Sequence, residues 1–304
     1  MSGGPFLGTS GFAARVLDRL AGSVHRPSLV VTLPDRRQGR GRREVESPVA
    51  ARAVELGIEV LKSEDVNGDR DRDRIVAASR DSGWASICAF GQLIREPLLS
   101  EAPMLNVHPS LLPRWRGAAP IERAIMAGDR ETGVCVMKLV AGLDSGPVAL
   151  VEPTGIGPEE DFGELSSRLA DLGGELLVRS LDLAATDGIE WQEQDDSLAT
   201  YAEKIERAER EVDPGQTAAQ CHDRVRALTP HIGAWVQAGE GRLGVGLTRV
   251  EPEASLEAGT FAEREGKLLL GCSDCALELI EVKPEGRSGM DAAAYLRGYG
   301  LPGA

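Results

Sequence analysis

Between residues 6 and 152, short runs of β-type residues alternate with stretches of helical periodicity, a pattern that predicts a parallel sheet with crossover helices. The runs are SLVVTL (28–33), IEVL (58–61), WASICAF (84–90), MLNVH (104–108), GVCVMKLV (133–140) and PVALVE (147–152). Helices are expected at 12–21, 48–56, 69–80 and 119–127, the second opened by Pro48 and closed by Gly57. From Glu159 to Ala185, Phe162, Leu165, Leu169, Leu172, Leu176 and Leu177 recur at three- and four-residue steps, which predicts an amphipathic helix over the sheet. The first strand is weak, because Pro5 interrupts it. Gly8-Thr9-Ser10-Gly11 lacks the G-x-G-x-x-G spacing of a dinucleotide site.

Residues 186–213 are polar and carry Asp187-Gly188 and Asp213-Pro214, as a connection would. Beyond Pro214 a helix (216–228) precedes β-type runs at 232–238, 243–250, 267–272 and 276–283, the composition of a small β-barrel or barrel-like sheet. The expected division is a catalytic domain at 1–190, a linker at 191–213 and a second domain at 214–304.

With 304 residues, 42% of them hydrophobic, the chain can build two real cores. Its formal charge of −14 argues against gripping nucleic acid by bulk electrostatics. A local basic site exists in DRRQGRGRRE (35–44), where Arg36, Arg37, Arg40, Arg42 and Arg43 surround two glycines; taken alone, such a run reads as a solvated loop. The absence of a long apolar run and of a signal-peptide pattern gives the expectation of a soluble, cytoplasmic protein without a membrane partner. Five scattered cysteines fit reduced thiols. Cys272 and Cys275 form a C-x-x-C without a second pair or a nearby histidine, so a hairpin turn at Ser273-Asp274 is expected there rather than zinc.

The chemistry is concentrated in LNVHPSLLPRWRGAAP (105–120). Asn106 and His108 stand two apart in an extended stretch, so their side chains share a face. Pro109 keeps His108 extended, and the strand ends there, at the sheet edge where open α/β folds bind ligands. GLDSGP (142–147) adds Asp144 between two glycines; by itself it is an ordinary turn. Together an amide, an imidazole and a carboxylate suit acyl transfer to an amine. The amide and a protonated imidazole stabilise a developing oxyanion, and the histidine moves protons while the carboxylate meets its charge. No metal is required.

NVHPSLLPRWRGAAPIERAI followed by ETGVCVMKLVAGLDSGP closely resembles the signature of the folate-dependent formyltransferases. The resemblance implies Asn106, His108 and Asp144 as catalytic residues. It places the formyl donor, 10-formyltetrahydrofolate, against Phe90, Gly91, Gln92, Leu93, Ser110, Leu111, Leu112, Pro113 and Gly117. FLGTSGFA (6–13), LPDRRQGRGRR (33–43), SPVA (47–50), AFGQLI (89–94), TYAEKI (200–205), VRALTPHIGAW (225–235) and VKPEGRSGM (282–290) are similar to landmarks of the branch acting on methionyl-tRNA. That likeness implies a Rossmann-like first domain, an OB-like barrel, initiator methionyl-tRNA as acceptor, a tRNA contact through Arg36, Arg37, Arg40, Arg42 and Arg43, and a monomer. A sugar-nucleotide amine or glycinamide ribonucleotide is the alternative acceptor. Three features depart from the family pattern: Met-Ser-Gly-Gly-Pro replaces the usual first strand, Phe90 replaces a tyrosine, and residues 204–304 carry 16 acidic against 12 basic side chains.

Overall fold

The computed structural model describes residues 3–38 and 43–303. They form two compact units, one built from residues up to Gly117 with 132–154 and 166–201, the other from 118–131, 155–165 and 202 onward.

In chain order the first elements are β1 (Phe6–Gly8), α1 (Gly11–Ala21), β2 (Leu29–Thr32), β3 (Arg36–Gln38), β4 (Arg43–Val45), α2 (Pro48–Glu55), β5 (Glu59–Lys62), α3 (Asp69–Ser79), β6 (Ala85–Cys88), α4 (Leu98–Glu101), β7 (Met104–His108) and β8 (Arg116–Gly117). They continue with α5 (Pro120–Met126), β9 (Glu131–Lys138), β10 (Val148–Gly155) and α6 (Phe162–Ala184). Ser10 and Ser47 cap α1 and α2 by accepting from Ala13 N and Ala50 N, and Pro48 opens α2 without losing a needed N–H.

The principal sheet has the order β10-β9-β7-β6-β1-β2-β5. The pairs from β7 to β5 are parallel, as the alternation predicts, whereas β9 runs antiparallel to β7, so the sheet is mixed. The weak first strand lies between β2 and β6, with Phe6 and Leu7 fully buried. The glycines that precede it explain the odd amino terminus: a Cβ on Gly3 would stand 2.1 Å from His25 O, and one on Gly4 would stand 1.9 Å from Trp84 O. Only glycine passes between those segments.

α6 covers the sheet as its periodicity requires, burying Leu169, Leu176 and Leu177. A Cβ on Gly173 would lie 2.7 Å from Val107 Cγ1, so this glycine sets a close approach of helix to β7. Such packing holds the site strand from behind.

The second unit contains α5, with β11 (Tyr201–Ala202) at its boundary, then α7 (Ala218–Leu228), β12 (Ala234–Ala238), β13 (Gly241–Glu251), β14 (Phe261–Arg264), β15 (Lys267–Gly271), β16 (Ala276–Lys283), β17 (Met290–Asp291) and α8 (Ala292–Tyr299). Its antiparallel sheet has the order β12-β13-β16-β15-β14 with β17 on β16, and register breaks between Val245 and Thr248 interrupt the β13–β16 ladder. Leu243, Leu268, Leu270, Leu277 and Leu279 pack with Val225 and Leu228 of α7. The Cys272–Cys275 segment is a hairpin turn, closed by Cys272 N donating to Cys275 O, and its Asp274 carboxylate accepts from Ala218 N at the start of α7. α4, β14, β17 and α8 are short elements the sequence patterns do not announce.

Candidate active site

β7 is an interior strand, paired in parallel with β6 as far as Asn106 and antiparallel with β9 as far as His108, and these ladders fix the strand that carries both residues. Asn106 and His108 therefore project in one direction, and both meet Asp144. Asn106 Nδ2 lies 3.4 Å from Asp144 Oδ1, and His108 Nδ1 lies 3.7 Å from Asp144 Oδ2. The loop carrying Asp144 leaves β9 beside Leu105 and folds back over the strand end.

His108 is buried, and its Nε2 lies 2.9 Å from Trp115 O. A carbonyl only accepts, so Nε2 carries a proton there, and Nδ1 is left to exchange a proton beside the carboxylate. Asp144 Oδ2 also accepts from Gly117 N at 2.9 Å. Trp115 and Asp144 both have left-handed backbones, with φ of 63° and 44°. Non-glycine residues adopt that conformation when surrounding contacts dictate it. At Trp115 the contact is Thr200 Oγ1, which accepts from Trp115 N at 2.9 Å.

The loop after β6 shares this sheet edge. Phe90 is buried and its carbonyl accepts from Thr9 Oγ1; Gln92 is engaged internally, donating to Ser63 O and accepting from Val66 N. Gly91 takes φ of 91°, and Leu93 stands 67% exposed. In the loop after β7, Ser110 is buried and donates to Arg114 O, Leu112 N donates to Cys135 Sγ, and Leu111 and Pro113 are half-buried. Burial pushes the Cys135 thiol up to about 11.

Two short strands, β3 and β4, pair antiparallel at the two ends of the arginine run. Arg36, Arg37 and Gln38 pair with Val45, Glu44 and Arg43. Its root lies just beyond the carboxyl end of β2, where Lys62 Nζ bonds Asp35 and, at 2.7 Å, Glu46 on either side. Arg36 is exposed; Arg40 and Arg42 lie outside the described residues. Among the described residues, no group of three or more His, Cys, Asp or Glu side chains is placed to hold a metal, and no helix is long and apolar enough to cross a membrane.

Sequence patterns miss the other wall of the site. Gln192 exchanges two backbone hydrogen bonds with Val148, and Gln194 donates its amide to Asp144 O at 2.9 Å and to Gly146 O at 2.7 Å. Arg116, nearly fully buried, donates to Gln194 Oε1 and Asp196 Oδ1. A segment read as linker thus braces both loops that carry the site.

Comparison with known proteins follows the same lines. Residues 6–181 match the model of the formyl transferase family, and residues 204–300 match that of the formyl transferase C-terminal domain. The methionyl-tRNA formyltransferase of Parvibaculum lavamentivorans is 39% identical over 97% of this chain and 96% of its own length. That of Jannaschia is 40% identical over 96% and 95%. Among solved structures, the Helicobacter canadensis N-formyltransferase in complex with folinic acid and dTDP-3-aminofucose superposes with a TM-score of 0.68 at 15% identity, over 92% of this chain and 99% of that one. HypX from Aquifex aeolicus gives 0.65 at 18% identity, over 98% and 49%.

Proposed function

The chain belongs to the formyl transferase family, and from that premise we propose that it transfers the formyl group of 10-formyltetrahydrofolate to the amino group of initiator methionyl-tRNA. The observation that carries the reading is the meeting of Asn106, His108 and Asp144 at the end of β7. The donor supplies an activated formyl carbon; the amine nitrogen bonds to it, the bond from that carbon to the folate nitrogen breaks, and one proton passes from the amine to the departing nitrogen. The protein's part is local. The Asn106 amide supplies an N–H for the charge that develops on the formyl oxygen. His108 Nδ1, with Nε2 fixed on Trp115 O, takes and returns the proton, and Asp144 meets the resulting positive charge.

A reduced folate suits the neighbouring loops. Leu93 and Leu143 expose apolar surface on two of them, at 67% and 61%, and the Phe90 carbonyl and the Gln92 side-chain amide are already hydrogen-bonded inside the fold. For the acceptor, near-full-length similarity to methionyl-tRNA formyltransferases and a basic segment whose flanking strands are rooted at the carboxyl edge of the sheet both favour tRNA. The acidic second domain, read as residues 214–304 after a linker at 191–213, adds local contacts only, and the enzyme acts as a cytoplasmic monomer.

The test is formyl transfer to charged initiator tRNA, set beside a sugar-nucleotide amine and glycinamide ribonucleotide. Activity confined to either small amine would refute the acceptor. Asn106→Ala, His108→Ala and Asp144→Ala should each lower kcat by about a hundredfold with the fold intact; near-normal turnover in one of them would remove that residue from the mechanism.

A further inference from the structure

The Asp144 loop is bonded on both sides. Toward the strand, Asp144 accepts from Gly117 N and faces Asn106 and His108. Away from it, the loop backbone turns two carbonyls, Asp144 O and Gly146 O, onto a single amide nitrogen, Gln194 Nε2. Both hydrogens of that nitrogen are thereby used. The orientation of the amide is not free: Arg116 Nε and Nη2 lie 3.0 and 2.8 Å from Gln194 Oε1, and a guanidinium only donates, so the oxygen must face Arg116 and the nitrogen the loop. Arg116 is itself buried and held by Asp196 Oδ1 at 2.7 Å. It leaves the same loop, 109–117, that supplies Trp115 O to His108 and Gly117 N to Asp144.

We propose that Gln194, oriented by the buried guanidinium of Arg116, is the positioning residue of this site, coupling the loop that carries Asp144 to the loop that orients His108. The hydrogen bonds of Gln194 run to Arg116 and to the backbone of the loop, not to the three catalytic side chains. Gln194 acts through the backbone of Asp144, whose left-handed φ of 44° is uncommon for a residue with a side chain and is held here by the two bonds to Gln194 Nε2. The inference rests on the formyl-transfer reading for its kinetic arm and on geometry alone for its structural arm.

Four variants separate the possibilities. Gln194→Ala removes both ties. Gln194→Glu keeps the size and the acceptor for Arg116 but turns an oxygen onto two carbonyls, so it should fail as Gln194→Ala does. Asp144→Asn is made alone and together with Gln194→Ala. Hydrogen exchange should be faster in residues 142–147 of both Gln194 variants, with β7 unchanged. In formyl transfer, kcat should fall at least about tenfold with KM for the acceptor altered by less than about threefold, because a displaced catalytic group costs rate before it costs binding. The loss caused by Asp144→Asn should shrink in the Gln194→Ala background, since the carboxylate is already misplaced. Unchanged exchange in 142–147 overturns the proposal whatever the activity. So does a Gln194→Glu enzyme with wild-type kcat, or a cycle in which the two losses simply multiply. Faster exchange in a protein whose wild type formylates no amine would uphold the tie and refute the reading of the reaction instead.

Discussion

Gly146→Ala tests whether catalysis depends on where Asp144 stands, because it leaves every polar group of the site in place. A Cβ at Gly146 would lie 1.9 Å from Lys138 O. A carbon and a carbonyl oxygen in contact rest at about 3.3 Å or more, so the backbone must move by roughly 1.4 Å. Lys138 cannot yield cheaply: it is paired with Leu105 of β7, and its N–H donates to Pro147 O. The loop moves instead, two residues from Asp144, and disturbs the 2.9 Å bond from Gly117 N and the approach to His108. Misplacement of a catalytic group by about 1 Å costs about a hundredfold in rate, equivalent to about 2.7 kcal/mol of barrier. Overpacking of this kind also costs about 1–3 kcal/mol of stability, so thermal unfolding must accompany the kinetics. The control lies in the same loop. A Cβ at Gly142 would meet only the Ser145 side chain, which can rotate away, and Gly142→Ala should stay within about threefold of wild type. The assay is kcat for formyl transfer to charged tRNA at saturating donor, with both variants shown to be folded at the assay temperature. A Gly146→Ala enzyme with normal kcat, or equal losses from the two alanines, would refute the dependence on loop position.

Replacing Arg40, Arg42 and Arg43 with alanine should raise KM for charged tRNA and flatten its salt dependence, each lost phosphate contact removing about 0.7–0.9 from the slope, while donor affinity measured by titration stays unchanged. Within the second unit, the hydrogen bond and charge of Arg123 hold the Glu209 carboxyl below its ordinary 4.5. That pair therefore stabilises the fold above about pH 4.5 and loses its effect as pH falls through the lowered value; Glu209→Gln should be less stable than wild type at pH 7, by at most about 1 kcal/mol, with the gap closing in acid denaturation curves. Cys135, raised to about 11 by burial, is ionised only to about one part in a thousand at pH 8, so a soluble thiol reagent should leave it unmodified in the native protein and label it after unfolding, as peptide mass spectrometry would show.

Periodicity made the sheet legible, because β2, β6, β7 and α6 write burial directly into their residue spacing. It misjudged two places for separate reasons. β1 reads poorly since Pro5 interrupts it and the preceding Gly3 and Gly4, which serve close passage past His25 O and Trp84 O, contribute nothing to an apolar pattern. β9 was expected in a parallel sheet, but a buried strand looks the same in either direction; the antiparallel pairing to β7 follows from three-dimensional register, which puts Cys135 opposite His108. That register brings GLDSGP back over NVHP and turns two motifs far apart in the chain into one site.

The three side chains of the candidate site were legible because their residue types are unusual for their positions: an amide and an imidazole on alternate residues of a closing strand, and an acid between glycines. The bracing segment was not, because Gln194, Asp196 and Thr200 act entirely through long-range hydrogen bonds to Gly146, Arg116 and Trp115. No local periodicity records such bonds, and their polarity makes the segment look solvated. One signal was nevertheless present. From Ile189 to Asp213 the chain contains neither glycine nor proline, with Gly188 and Pro214 marking its two ends. A connection needed only for reach draws on residues that bend or stiffen it, whereas a polar stretch without them is better suited to holding fixed bonds. Gln194 and Thr200 are half-buried polar side chains in it, and both end on a backbone group of a residue with positive φ, Asp144 or Trp115. The left-handed residues of the two candidate-site loops and the order of the connecting segment are therefore linked: the bonds made by Gln194 and Thr200 are also bonds to the loops that carry Asp144 and Trp115.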